Sequence, residues 1–178
     1  TPLYSSAASD VYKRQAMRQT GVLGTILPGS DDRWLGMVVY FEQLLQMSVD
    51  WRTRLAALGG EDIDQRLRLS KADVKYLHRL KEAAYGAETV AAIAHIDGGD
   101  MARAVVVLRA CLSETPPDAA VLDRIAQAEA AVFPVQAADL MPEYTGPALG
   151  RRLAELRAVW IASGFAATRD SLLNTPES

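Results

Sequence analysis

The chain has 178 residues, enough to bury a core as one domain or two small ones. Hydrophobic residues make up 49% and charged residues 23%, the mix of an ordinary globular protein. The net charge of -3 gives phosphate no global attraction, so any nucleic-acid surface must be a local patch.

Alanine and leucine dominate while β-branched and aromatic residues are thin, which favours helix over sheet. The opening run TPLYSSAASDVYKRQ starts at Thr1 and resembles a translated sequencing adapter, so residues 1–15 are expected to be a non-native leader. From Ala16 onward the pattern is a string of helices. Met17, Val22, Leu23, Ile26 and Leu27 fall near helical spacing, and the segment stops at Pro28-Gly29. Ser30 or Asp31 can cap the next helix, which carries Trp34, Leu35, Val38, Phe41, Leu44 and Leu45 on one side. Asp50 can cap a short helix through Leu58, with Gly59-Gly60 as its C-cap.

The clearest helix start is Ser70-Lys71-Ala72-Asp73, a capping box with Asp in place of Glu or Gln. Val74, Leu77, Leu80 and Ala84 then repeat at helical spacing and predict the buried face. Helices over roughly 87–96 and 99–112 are separated by Asp97-Gly98-Gly99, and Pro116-Pro117 makes a hard stop. Asp118 can cap a helix running to about Val132. After Phe133-Pro134 come a short helix near Ala137–Met141 and a long one opening at Gly146-Pro147. Proline suits the first turn there, because its missing N–H would have no partner anyway. That helix runs through Leu149, Leu153, Leu156, Val159 and Trp160 to Ser163-Gly164. No alternation of period two appears. The expected fold class is all-α, an elongated array of short helices.

Catalytic signals are scarce. There is no glycine-rich phosphate loop, no His-Asp doublet and no paired aspartates in a strand-like context. Glu61, Asp62 and Asp64 follow Gly59-Gly60 and read as a helix N-terminus, where negative charge is favourable, more readily than as a metal site. His95 and Cys111 sit in apolar stretches and read as structural residues. No catalytic and no metal-ligating residue is assigned. No run of about 18 apolar residues and no signal peptide is visible, so the expectation is a cytoplasmic protein with no membrane partner.

Binding signals are better. From Arg66 to Lys81 six basic residues face Asp73 alone, and Lys71, Lys75 and Arg79 are spaced by four on one helical face. Such a row can contact successive phosphates without reading sequence, or it can be a solvated surface. The second feature is Asp139-Leu140 leading through a loop to Gly146, Gly150, Arg151 and Arg152. A short helix, a turn and a second helix would leave backbone N–H groups open at the second N-terminus, similar to helix-hairpin-helix elements. Trp34 and Trp160 fall on apolar faces. Trp51, beside Arg52 and Arg54, is the one tryptophan placed to stack on a base, with core packing the simpler alternative.

In order, these segments resemble the C-terminal half of bacterial CCA-adding enzymes, in the tRNA nucleotidyltransferase and poly(A) polymerase superfamily. MRQTGVLGTILPG (Met17 to Gly29) resembles the end of that family's neck. RLAALGGEDIDQRLRLSKADVKYLHRL (Arg54 to Leu80) resembles its body, and FPVQAADLMPEYTGPALGRRLAELRAVWIASGF (Phe133 to Phe165) its tail. Ala137 departs from the pattern by standing where the tail commonly has glycine. The resemblance implies a neck end over 16–29, a body over 30–132 and a tail over 133–178.

It also implies a division of labour. The full enzyme adds C, C and A to tRNA 3′ ends from CTP and ATP, with Mg²⁺ held by carboxylates of a head domain. Nucleotides and metal belong to that head and neck, upstream of the matching region, so the chain by itself is expected to be inactive and to hold no cofactor. Its expected partners are tRNA, not DNA, and the head domain. The implied RNA-binding residues are Lys71, Lys75, Arg79, Gly146, Gly150, Arg151 and Arg152. A poly(A)-adding enzyme would have a similar C-terminal half. A helical protein–protein interaction module would instead expose an apolar face.

Overall fold

The structure, a computed structural model, describes residues 16, 17 and 20–176. The expected leader over 1–15 lies outside them. Every regular element among the described residues is a helix, as composition and spacing predict. These are α1 (Val22–Ile26), α2 (Leu35–Leu44), α3 (Trp51–Leu58), α4 (Ile63–Arg66), α5 (Lys71–Tyr85) and α6 (Val90–Asp97), then α7 (Gly99–Ser113), α8 (Ala120–Ala130), α9 (Ala137–Leu140), α10 (Gly146–Ala162) and α11 (Arg169–Leu173).

The chain divides into two compact units. The first runs through Gly86 and takes in Ala104–Pro117. The second holds Ala87–Arg103 and everything from Asp118. This division does not coincide with a body over 30–132 and a tail over 133–178, because residues 87–103 and 118–132 fall in one unit with the tail.

In the first unit the apolar stretch after Ala16 does not form one helix. It breaks at Gly21, in the left-handed region at φ 67°, before α1 begins. The expected cap of α2 also shifts. Asp31 accepts a hydrogen bond from the Arg33 backbone N–H at 2.9 Å, inside the preceding turn, and Trp34 takes the N-cap position without a side-chain bond. The Asp50 cap of α3 forms as predicted, its carboxylate accepting from the Arg52 N–H at 3.0 Å. So does the Ser70 cap of α5, whose hydroxyl accepts from the Asp73 N–H at 3.1 Å. Asp73 answers through the Ser70 hydroxyl at 2.6 Å, not the Ser70 backbone, because aspartate is one methylene shorter than the usual glutamate. Leu77, Leu80, Ala83 and Ala84 are the buried face of α5. At the other end of α5, Arg109 donates to the carbonyls of Ala83, Ala84 and Gly86, so a side chain from α7 satisfies the open carbonyls of that last turn.

One charge lies inside this unit. Glu42 on α2 is 2% exposed and accepts three hydrogen bonds from Arg54 on α3, at Oε2 from Nη2 at 2.7 Å and Nε at 3.1 Å, and at Oε1 from Nε at 3.4 Å. The pair ties the two helices together and supplies the counter-charge that a buried carboxylate needs.

In the second unit α6 packs on α8. Thr89 caps α6, Asp118 bonds the Ala120 N–H, and α8 ends at Ala130, two residues before the expected limit. The core of the segment after residue 133 is Val135, Leu140, Leu156, Trp160 and Leu172, with Phe133, Tyr144 and Phe165 against it. His95 of α6 joins that core. Its ring sits edge-on to Trp160 at 5.2 Å and near Phe165 at 5.7 Å, while Nδ1 lies 3.2 Å from the Ala128 carbonyl. These contacts draw 87–103 and 118–132 into the tail's unit. At the end of α10 both Gly164 and Phe165 adopt positive φ, 67° and 66°. Glycine takes this without cost. For Phe165 the cost, of order 1 kcal/mol, is offset by a T-shaped contact with Trp160 at 4.9 Å.

Removing Arg54 while leaving Glu42 buried should cost about 3 kcal/mol of stability. Urea unfolding of Arg54→Met is expected to give a clearly lower midpoint, with at least half the loss recovered in Glu42→Gln/Arg54→Met. Equal midpoints for wild type and Arg54→Met would show that the pair does not hold α2 to α3.

Candidate nucleic-acid interface

The groups that could do chemistry are dispersed. Among the described residues no group of three His, Cys, Asp or Glu side chains is placed to hold a metal ion. Glu61, Asp62 and Asp64 are all exposed at the start of the four-residue α4. The residues here therefore do not fit the Mg²⁺ site of a nucleotidyltransferase, and no chemical step is assigned to them. Cys111 is fully buried in the first unit. Burial, with a smaller contribution from the Glu42 charge, pushes its thiol up to about 11. Among the described residues no helix is long and apolar enough to cross a membrane.

The basic face of α5 separates into unequal parts. Lys71 and Lys75 are exposed and, among the described residues, have no ion-pair partner. Arg79 is less open, its side chain 23% exposed, with Glu82 at 3.9 Å across one helical turn. Lys81, also basic in sequence, lines instead an apolar groove of about 280 Å³ walled by Leu55, Ile63, Leu69 and Leu77. The open part of the row is thus its N-terminal half, close to the Ser70 cap. Arg52, in the first turn of α3, lies beside this half. Its guanidinium stacks 3.9 Å from the Tyr76 ring while Nε donates to Asp50 at 3.1 Å. The Asp50 hydrogen bond is the main cause of its raised pKa. Trp51, next in line, is 49% exposed and not a core residue. Trp34 is half-buried under Arg33, and Trp160 is core as predicted.

The α9–α10 element has the expected short helix, turn and long helix. Gln136 and Asp139 form the capping box of α9, with Asp139 accepting from the Gln136 N–H at 2.7 Å. Asp139 also pairs with Arg169 at 2.8 Å. These two contacts, Arg169 first, hold its carboxyl below the usual range. At α10, Thr145 gives no side-chain cap, and Gly146, Pro147, Gly150 and Arg151 are exposed. Gly146 enters at φ 54°, a conformation open to glycine. The first turn of this 17-residue helix thus starts without a side-chain cap.

Arg152 departs from expectation. It is 6% exposed and turned into the unit, where it bonds Glu155 at 3.3 Å and the carbonyls of Thr175 and Pro176. Its position on α10 puts it on the Leu156–Trp160 side, and the segment after α11 closes over it. Arg152 is a structural cross-link and not a surface cation. A cavity of about 480 Å³ beside it is mostly polar, and Asp139 and Glu143 in its lining offset the arginine charge, so it does not favour phosphate. The exposed charge of this site is Arg151. The Arg52–Tyr76 contact and the Asp139–Arg169 pair had no readable signal beyond residue type, because both depend on how helices meet.

No family profile, curated protein or solved structure matches this chain.

Two measurements check these placements. Arg152→Met should lower thermal stability by about 1–3 kcal/mol, since carbonyls lose a charged donor, and leave any affinity for nucleic acid unchanged. A stability equal to wild type, or a selective loss of binding, would return Arg152 to the surface. The native Cys111 thiol should resist a disulfide reagent at pH 8 and react as urea unfolds the chain. Because the folded thiol keeps its proton to higher pH than the unfolded one, stability should fall as pH rises from about 9 toward 11. Prompt labelling of folded protein would contradict its burial.

Proposed function

We propose that this chain is the tRNA-gripping C-terminal region of a CCA-adding tRNA nucleotidyltransferase, whose full-length form adds CCA with Mg²⁺ and CTP or ATP held by its head and neck. The observation that carries the reading is the open, same-facing pair Lys71 and Lys75 at the start of a 15-residue helix, on a chain whose net charge is negative. Arg79 extends that face, and the uncapped start of α10 with Gly146, Gly150 and Arg151 is a second anion-binding element. The resemblance of Met17–Gly29, Arg54–Leu80 and Phe133–Phe165 to neck, body and tail supplies the family. Contacts of this kind grip phosphate and shape without reading bases, the mode suited to an RNA duplex whose deep groove is closed to side chains. A cytoplasmic location follows from that role.

A second reading has its own observation. Tyr40, Leu44 and Val49 are 56%, 44% and 68% exposed on α2 and the loop after it, which fits a helical protein-interaction module.

Titration of the folded chain with deacylated tRNA over a salt series separates the two. On the RNA reading, folded tRNA binds more tightly than a single-stranded RNA of equal length. Lys75→Glu or Arg151→Glu should each weaken binding by about 10-fold and reduce the salt slope by about 1. Absence of binding to either RNA by folded protein would favour the interaction module.

A further inference from the structure

Trp51 is half exposed at the first position of α3. The guanidinium of the next residue, Arg52, lies over the Tyr76 ring at 3.9 Å, and Tyr76 adjoins Lys75 in sequence. Helices α3 and α5 pack directly on one another. The first turn of α3 is therefore held against the stretch of α5 that carries the open lysines. Two fixtures keep it there. The Asp50 carboxylate caps α3 and binds Arg52 Nε, and Arg54, one turn on, is anchored by the buried Glu42. A half-exposed indole at the start of a helix that packs on the one carrying Lys71 and Lys75 offers the two parts of a single-strand site, a π-face for a base and charge for the backbone.

We infer that Trp51 is a stacking platform for an unpaired base, working with Lys71 and Lys75 on the flanking phosphates. This rests on the RNA-binding reading and adds to it: the ligand presents at least one unstacked nucleotide, so the partner at this surface is a single-stranded or looped RNA segment and not only a duplex backbone. The site tolerates any base, since every base has a π-face and stacking on the indole face does not read the base's hydrogen-bonding edge.

The test uses the whole chain with two ten-nucleotide oligonucleotides, one with adenine bases and one abasic, plus deacylated tRNA. The adenine oligonucleotide should quench intrinsic tryptophan fluorescence, and the quenching should disappear in Trp51→Ala. Trp51→Ala should weaken adenine oligonucleotide binding by about 10-fold and leave the abasic oligonucleotide unchanged. Trp51→Phe, which keeps a ring, should retain part of the affinity, and circular dichroism confirms that both variants fold. Lys75→Glu should weaken both oligonucleotides. If Lys75→Glu weakens binding while Trp51→Ala changes neither affinity nor quenching, the platform is wrong and the phosphate-gripping role stands. If the folded chain binds neither oligonucleotide nor tRNA, both fail.

Discussion

A carboxylate removed from water needs a counter-charge, and Glu42 meets that demand by drawing Arg54 across from the next helix. Much of the first unit follows from this pair. With α2 fixed to α3, the start of α3 has one position, and its Asp50 cap and the Arg52–Tyr76 stack fall against α5. The same buried charge helps to keep the Cys111 thiol protonated. The second unit repeats the device with opposite sign. There Arg152 is the buried ion, and its two Nη atoms bond one glutamate and backbone carbonyls of the chain after α11. Among the described residues each unit thus encloses one charge held at least in part by groups from a different segment, and removing those partners would cost more than most surface contacts contribute.

Features that depend on near neighbours in the chain were legible in the sequence. The Ser70 and Asp50 caps, the stop at Gly59-Gly60, the proline in the first turn of α10 and the buried face of α5 all arise within one or two helical turns. What the sequence did not reveal depends on distant partners. Arg151 and Arg152 are adjacent and chemically identical, yet one faces solvent and the other is enclosed, because 100° of helix rotation and the later segment 174–176 decide between them. Trp51 and Trp160 likewise differ in exposure through packing alone. The short helix α11 went unread because five residues are too few to show a period.

The candidate interface is sparing with charge. Arg52, Arg79 and Arg169 are each engaged with a carboxylate, so a phosphate at those positions must compete with an existing pair. Lys71 and Lys75 in the first unit, and separately Arg151 in the second, face no such competition from the described residues. Exposed cations of this kind act on anions locally, and salt screens that attraction.

The chain passes between the two compact units three times, near 86, 103 and 117, and α7 lends its first residues to one and the rest to the other. Neither unit is a continuous stretch of sequence. A piece beginning at Phe133 would therefore be an incomplete object, with Trp160 and Phe165 stripped of His95 and of the α6–α8 layer. Boundaries suggested by similarity along the chain and boundaries drawn by packing are different things in this protein, and only the second kind marks where it could be inherited, swapped or cut as a working part.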